Sequence, residues 1–228
     1  MMATLIVLPL IASLLMGLKL SIRIQYVLIG LVWLTLSAVS AGMMNDTVSL
    51  SYAVPDVLGR LISVADALLL LFFLYQGIVR KSRPVVLLGS IQLLLYGWAE
   101  SHLLGETQTR IVIDELSRFM FLIINGVGGA IVFYAIAYLR HENLEEGKKR
   151  LFIVYFLLFL AIMNTIVVID SLMQFFFLFE MTTLASFVLI AFRQDRVAID
   201  NALRALWMNQ IGGIAILAAV LSALYGSS

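Results

Sequence analysis

Residues 151–192 read LFIVYFLLFLAIMNTIVVIDSLMQFFFLFEMTTLASFVLIAF, and this stretch decides the fold. As one straight α-helix it would be about 63 Å long at 1.5 Å per residue, about twice the hydrocarbon thickness of a bilayer. It must therefore form two membrane-spanning helices joined by a turn. Asp170 and Ser171 are the polar pair at which we place that turn.

The rest of the chain has the same character. Of its 228 residues, 62% are hydrophobic and only 13% are charged, a composition typical of membrane proteins rather than soluble domains. We therefore predict an all-α, polytopic membrane protein with about eight transmembrane helices. The apolar runs that can span are 2–18, 26–44, 61–79, 84–99, 119–139, 151–169, 172–192 and 205–225.

The basic residues predict the orientation. If successive loops alternate between the two sides of the membrane, 12 of the 15 Lys and Arg side chains fall on one side. The positive-inside rule assigns that side to the cytoplasm, so both termini are predicted outside it. The 12 residues are Lys19, Arg23, Arg80, Lys81, Arg83, Arg140, Lys148, Lys149, Arg150, Arg193, Arg196 and Arg204. Two polar outer segments, 45–60 and 100–118, are predicted to lie at the membrane interface.

The residue inventory excludes several kinds of chemistry. The chain has no cysteine, which removes disulfides and thiolate-bound iron–sulfur clusters. Its two histidines, His102 and His141, are predicted on opposite sides of the membrane and so cannot share a metal ion. With no phosphate-binding loop or nucleophile motif, we expect no cofactor, no metal and no catalytic residue. The net charge of +1 gives no reason to expect nucleic acid as a partner.

Glu180 is the clearest candidate for function. It lies about 12 Å of rise from the outer end of the seventh predicted helix and about 18 Å from the inner end, too deep for its carboxylate to reach the headgroups. At 100° per residue, Thr183, Ser186 and Thr182 fan out over the half of the helix beside it. A buried carboxylate can change protonation when its surroundings change, as a proton relay requires. The structural alternative is a protonated Glu hydrogen-bonded between helices.

The eighth helix offers three further candidates. Arg204 opens it on the cytoplasmic side, with Asn201 on the same face. Asn209 and Gln210 lie deeper but are rotated by more than 90° from Arg204, so the three do not form one polar stripe, and a relay through them needs a neighbouring helix. An orientation anchor is the alternative interpretation of Arg204.

We expect structural roles for the other polar and small residues in the helices. Asp66 lies near the outer end of the third helix, where local water would reach it, and Glu100 lies just outside the fourth. The glycines of Asn125-Gly-Val-Gly-Gly and the pair Gly212-Gly213 are typical of close helix packing in membranes.

Three segments together carry a family resemblance over residues 114–225. The first is Asp114-Glu-Leu-Ser, followed by a Gly-containing helix that ends in Tyr138-Leu-Arg. The second has Asp170 ten residues before Glu180 in Phe-Leu-Phe-Glu-Met-Thr-Thr-Leu-Ala-Ser-Phe-Val-Leu-Ile. The third is Asn201-Ala-Leu-Arg-Ala-Leu-Trp-Met-Asn-Gln-Ile-Gly. The chain thereby resembles the antiporter-like subunits of complex I, of energy-converting membrane-bound hydrogenases and of multisubunit Na+/H+ antiporters.

The resemblance implies roles for particular residues. Glu180 matches the family's intramembrane glutamate, which accepts and passes a proton and couples neighbouring subunits. Arg204 falls on the family's lysine and retains its charge, but it practically never deprotonates. Gln210 and Gly213 replace a family Arg and Asp. The ion pathway implied by resemblance and position therefore comprises Glu180, Arg204, Asn209, Gln210 and Asp170.

The resemblance also divides the chain. Residues 1–110 form four accessory helices where two would be expected in the complex I subunit, which favours the hydrogenase-type branch, and residues 111–228 resemble the start of the subunit core. The sequence stops before the family's lysine-bearing interrupted helix, so we expect either a fragment or a split subunit whose partner chain supplies that helix.

The function implied is that of a membrane subunit in a redox-driven ion-translocating complex, of complex I or membrane-bound hydrogenase type. Its partners would be other membrane subunits, peripheral redox subunits and the lipid bilayer of the cell membrane. Two alternatives stay open at this point. One is a structural module that anchors redox subunits without pumping, and the other is a component of a multisubunit cation/proton antiporter.

Overall fold

The computed structural model describes residues 1–45, 50–53, 56–103, 110–142 and 144–226. Most of them are α-helical. The helices are α1 (Met2–Gly17), α2 (Ile22–Met43), α3 (Asp56–Val79), α4 (Arg83–Leu103), α5 (Glu115–Ile123), α6 (Gly129–Arg140), α7 (Glu146–Ile166), α8 (Leu172–Ile190) and α9 (Arg196–Gly226), and the strands are β1 (Leu50–Ala53) and β2 (Arg110–Ile113). A π-helical turn, Ile124–Gly128, connects α5 to α6, and a 3-10 turn, Ala191–Arg193, follows α8.

The helices coincide with the apolar runs of the sequence. Within the described residues, six helices are long and apolar enough to cross a membrane, while Met2–Gly17 is apolar but shorter and α4 is not among the six. The six are Ile22–Met43, Leu61–Val79, Glu115–Arg140, Glu146–Ile166, Leu172–Arg193 and Arg196–Ala223. The all-α, polytopic membrane fold is therefore confirmed. The count of eight spans and the outward position of both termini stay predictions.

Large apolar side chains lie on the outside of the helices. Leu14 is 76% exposed and Leu94 is 74% exposed, although each belongs to an otherwise apolar helix. In water such surfaces would favour aggregation, whereas hydrocarbon is their natural solvent. The chain is accordingly a multi-pass membrane protein.

The long apolar stretch is broken where the sequence indicates. Helix α7 ends at Ile166 and α8 begins at Leu172, so the predicted interruption around Asp170 and Ser171 is confirmed. Ser171 is the N-cap residue of α8. The backbone N–H of Asp170 donates to the carbonyl of Arg110 at 3.1 Å, which ties this connection to the start of the preceding strand, β2.

The helices cluster into two compact units. The first comprises Met1–Leu50 and Val112–Val168, and the second comprises Ser51–Ile111 and Ile169–Ser228. Each unit thus draws helices from both sides of residue 110. The predicted division at that residue concerns family relationship and stays a prediction.

The first unit contains a buried polar cluster. The Nδ2 of Asn125 donates to Asn164 Oδ1 at 2.8 Å and to Ser40 Oγ at 3.0 Å, and Asn164 Nδ2 donates back to Asn125 Oδ1 at 2.9 Å. All three side chains are fully buried, and they come from three helical segments: α2, the π-helical turn and α7. Because these amides bond to each other and to helix carbonyls, the cluster is a means of joining helices in a solvent that offers no hydrogen bonds.

The π-helical turn has a specific contact with α2. The indole Nε1 of Trp33 donates to the carbonyl of Gly126 at 3.0 Å, and a Cβ added to Gly129 would meet the indole ring. A Cβ on Gly128 would meet Leu160 of α7 at 2.9 Å. The packing role predicted for these glycines is therefore confirmed at Gly128 and Gly129, while Gly126 contributes its carbonyl.

The second unit contains α3, α4, α8 and α9. Helix α4 packs against α3 and α9, and α8 packs against α9 and α3. Their shared core is apolar and includes Leu70, Phe73, Val85, Phe176, Leu206 and Leu217. This unit contains Glu180.

The two polar outer segments contain the strands β1 and β2. This local structure was not predicted. Residues 46–49, 54–55 and 104–109 of those segments lie outside the described part of the chain, so their predicted interfacial position stays a prediction.

Candidate functional site

Glu180 is fully buried in the second unit. It lies in the middle of α8, with an exposed fraction of 0%. Its depth in the helix keeps the carboxylate away from the headgroups. The burial expected from the sequence is therefore confirmed, and the question becomes what the carboxylate meets there.

Its direct partner is a neutral amide from α4. The Nε2 of Gln92 donates to Glu180 Oε1 at 2.6 Å, and Gln92 is itself fully buried. Glu180 Oε2 and Gln92 Oε1 have no hydrogen-bond partner among the described residues. The pair thus retains one free acceptor on each side chain, which is uncommon for buried polar groups.

Helix α9 closes the site from a third side. The α-carbon of Gly213 lies against both Glu180 Oε1 and Gln92 Nε2, so a Cβ there would overlap them. One turn earlier, Gln210 is fully buried, and neither its Oε1 nor its Nε2 has a partner in the described part of the chain. The position of a Cβ on Gly89 is 3.1 Å from Gln210 Nε2.

The spacing of these contacts sets the register of α4 and α9. Gly89 and Gln92 are three residues apart on α4, and Gln210 and Gly213 are three apart on α9. Gly89 meets Gln210 and Gln92 meets Gly213, so the two helices run in the same direction here. Glycines at 89 and 213 let the helices approach closely enough for the glutamines to be enclosed.

The hydroxyls beside Glu180 are already satisfied. Thr182 and Thr183 both donate to the carbonyl of Phe179, at 2.7 and 3.1 Å. They bond to their own helix rather than to the carboxylate. The polar side of α8 predicted from the sequence exists, but the groups that meet Glu180 come from other helices.

The remaining predicted pathway residues lie elsewhere. Arg204 and Asp170 are exposed, and Asn209 is half-buried. Among the described residues, Glu180 forms no ion pair or hydrogen bond with any of them. Gln210 is fully buried, whereas Arg204 is exposed, as expected if Arg204, Asn209 and Gln210 do not form one stripe.

Asp66 corrects the sequence interpretation. The sequence predicts it near the end of its helix and within reach of water, but it is only 1% exposed, and its Oδ1 has no hydrogen-bond partner among the described residues. It lies on α3, in the same unit as Glu180. Sequence position indicates its distance from the helix end but not the neighbouring helices that cover it.

Gln92 is a site residue that the sequence pattern did not single out. The signal was available, because an amide within the apolar run VVLLGSIQLLLYGWA of α4 is costly in hydrocarbon unless it is bonded. Its partner Glu180 could not be predicted from the sequence, since the two residues are 88 positions apart in the chain.

The donor groups around Glu180 do not resemble a site for a tightly bound metal ion. Within the described ranges, no three or more His, Cys, Asp or Glu side chains are grouped as such a site would need. One carboxylate among neutral amides instead suits a proton or a weakly held monovalent cation.

Comparison with known proteins gives two kinds of match. Residues 104–152 match the family described as NADH-ubiquinone oxidoreductase (complex I), chain 5 N-terminus. The Na(+)/H(+) antiporter subunit A1 of Staphylococcus haemolyticus is 34% identical over 120 residues, and that of a Staphylococcus aureus strain is 32% identical over 112 residues. The matches cover 52% and 49% of this chain but only 14% of each relative.

Proposed function

We propose that this chain, an antiporter-like membrane subunit of the family that includes complex I chain 5 and the Na+/H+ antiporter A subunits, provides part of an ion pathway in which Glu180 takes up and releases a proton. The observation that carries the proposal is the burial of Glu180 beside a neutral partner. One of its oxygens accepts from Gln92, and the other is unpaired in the described structure.

The neutral partner suits a group that changes its charge. A fixed cation would hold a carboxylate ionised, whereas an amide can donate its N–H to a carboxylate or accept the O–H of a carboxylic acid. Gln92 already donates through Nε2 and has a free Oε1 in the described structure. Reorientation of its amide therefore accommodates both states of Glu180.

The relatives favour one setting for this pathway. Both are named as subunits of Na(+)/H(+) antiporters, so we propose that the chain works in a multisubunit cation/proton antiporter. It would assemble there with other membrane subunits. A lysine-bearing interrupted helix of the complex would act together with Glu180 in this pathway.

The complex I match favours a second setting. The family matched by residues 104–152 belongs to a redox enzyme, so a redox-driven complex of complex I or membrane-bound hydrogenase type is the other candidate. The chain itself would carry no redox group, and peripheral redox subunits would be its partners. In either setting, exposed Arg204 would serve as a fixed charge facing a neighbouring subunit or the lipid surface.

The test uses the complex isolated through this chain and reconstituted into vesicles with an internal pH-sensitive dye. Glu180→Gln is expected to lower the rate of proton movement at least tenfold while the complex still assembles, because Gln retains the shape but cannot titrate. The matched control is Glu115→Gln, an exposed residue of α5 in the other unit. If the Glu180→Gln variant moves protons at the wild-type rate, the proposal is wrong, and the chain is then a structural module of the complex.

The driving force distinguishes the two settings. An antiporter moves protons when a Na+ gradient is imposed on the vesicles without any electron donor. A redox-driven complex moves them only when NADH or another reductant is supplied. The effect of Glu180→Gln is expected in whichever of the two assays the wild-type complex is active.

A further inference from the structure

Polar side chains form a line along α4 that leads away from Glu180. Gln92, Tyr96 and Glu100 are spaced four residues apart, so they share one face and span about 12 Å of rise. Gln92 and Tyr96 are buried, and Glu100 is half-buried. The line therefore runs from the buried site to the end of the helix.

Contacts with α3 and α8 enclose this line. The hydroxyl of Tyr96 donates to the carbonyl of Ser63 at 2.9 Å. The ring of Tyr96 stacks on Phe176, with centroids 6.0 Å apart. Phe176 is one turn before Glu180 on α8, just as Tyr96 is one turn after Gln92 on α4, so the line follows the contact between these two helices.

Asp66 lies beside the same line. It is three residues after Ser63 on α3, the residue whose carbonyl accepts from Tyr96, and its charge is repelled by those of Glu100 and Glu180. The titratable neighbours facing it are Tyr96 and Glu100 from α4 and Glu180 from α8. Helix α9 contributes the buried, neutral Gln210 to the same unit.

Asp66 lacks the partners that a structural carboxylate would have. Structural carboxylates in a membrane are hydrogen-bonded or paired with a cation, yet Asp66 Oδ1 is buried without a partner in the described structure. Ionising Asp66 and Glu180 together is unfavourable, because their charges repel in a medium of low dielectric constant. A state in which a proton is held on one of these two carboxylates and not on the other is therefore favoured.

Resting on the function proposed above, we infer that Asp66 is a second proton-carrying carboxylate, which connects Glu180 with Glu100 and the membrane surface at that end of the unit. In each step the O–H bond of one carboxylic acid breaks as a proton passes, through water, to the carboxylate of the next. The donor becomes ionised as the acceptor becomes neutral. The opposite end of the unit carries Arg83 and Arg193, so the positive-inside rule predicts that the pathway opens outside the cytoplasm.

Three variants in the reconstituted complex test this inference. Asp66→Asn retains size and hydrogen bonding but cannot titrate, and it is expected to slow proton movement at least tenfold, whereas Asp66→Glu is expected to recover most of the rate. A structural role would give the reverse order, with Asn tolerated and the longer Glu disruptive. The control is Asp114→Asn, the same substitution at an exposed carboxylate of the first unit.

The outcomes separate the two proposals. If Asp66→Asn moves protons at the wild-type rate while Glu180→Gln does not, the inference about Asp66 is wrong and the proposed function stands. If Glu180→Gln is also fully active, the proposed function itself is wrong.

A second measurement does not depend on transport. Because the chain has no cysteine, a single Asp66→Cys variant can be treated with a membrane-impermeant thiosulfonate from either side of the vesicle. Reaction is expected from the side on which Glu100→Cys reacts. The control Leu70→Cys lies in the apolar core one turn along the same helix and is equally buried. Equal, slow reaction of the Asp66→Cys and Leu70→Cys variants would exclude a hydrated route and overturn the inference.

Discussion

Gly213 touches Glu180: the α-carbon of this glycine lies so close to Glu180 Oε1 that the space holds no additional carbon atom. The same glycine borders Gln92 Nε2. The helix that carries Gly213 therefore presses directly on the hydrogen bond between Gln92 and Glu180. Gln92 precedes the region of family resemblance, whereas Glu180 and Gly213 belong to it, so both parts of the chain contribute to one packing unit.

Replacing Gly213 by alanine should disturb this hydrogen bond. The new Cβ must displace a buried carboxylate or amide, and overpacking of this kind costs about 1–3 kcal/mol. We expect a lower unfolding temperature for Gly213→Ala, measured on the purified protein in detergent. Gly97→Ala is the control, since no atom lies within 4 Å of its added Cβ. Equal unfolding temperatures for the two variants would contradict this account.

Two glycines of the π-helical region form a second matched pair. Gly129→Ala should destabilise the protein by about 1–3 kcal/mol, because its Cβ would meet the ring of Trp33. Gly126→Ala meets no atom within 4 Å and should be tolerated. Thermal unfolding in detergent again measures the difference, and a Trp33→Ala background should remove the penalty at Gly129.

The amide pair of the first unit predicts a measurable coupling. Asn125→Ala and Asn164→Ala each leave the other amide short of partners in a buried position. Interhelical hydrogen bonds in membrane proteins couple by about 0.6–1.7 kcal/mol. A double-mutant cycle, read from unfolding in detergent, should therefore give a favourable coupling in that range. Additive effects would show that the two amides act independently.

The start of α5 predicts a pH-dependent stability. Asp114 Oδ1 accepts from the backbone N–H of Ser117 at 2.8 Å, and Ser117 Oγ accepts from Asp114 N–H at 2.8 Å. The Ser117 backbone hydrogen bond is the main cause that lowers the pKa of the Asp114 carboxyl. Because the folded pKa is below the unfolded value of about 4, the stabilisation is present above about pH 4 and is lost as the pH falls through the folded pKa.

Asp114→Ala should consequently lower stability by about 1 kcal/mol at neutral pH. The difference from wild type should shrink when unfolding is measured at about pH 3, below the unfolded pKa. Asp114→Asn retains an acceptor oxygen without a charge, so it should retain most of the cap with less pH dependence. A difference between wild type and Asp114→Ala that is the same at both pH values would be inconsistent with the ionised cap.

Several features of the site followed from the sequence. The burial of Glu180 could be predicted, because its depth depends only on the helix rise and the length of the apolar run. The different directions of Gln210 and Arg204 around their helix could also be predicted, because the 100° rotation per residue is a property of any α-helix. Both are local properties, and the burial of Glu180 is confirmed.

The neighbours of Glu180 could not be predicted from the sequence. Gln92 comes from the residues outside the family resemblance, and the sequence predicts Asp66 to be accessible to water. Their burial depends on α3 and α4 packing against α8 and α9, which no residue in those helices indicates by itself. An apolar helix in a membrane has no single face that hydrophobicity must bury.

The amino-acid sequence by itself determined that this is a multi-pass helical membrane protein and that one glutamate lies deep within an apolar helix, since apolar length and helical rise are local quantities. Only the tertiary structure decided that this glutamate meets a glutamine of α4 and a glycine of α9, and that Asp66 is buried in the same unit. The physical reason is that lipid solvates every apolar face alike, so the choice of neighbouring helix rests on small-residue contacts and buried hydrogen bonds between residues far apart in the chain.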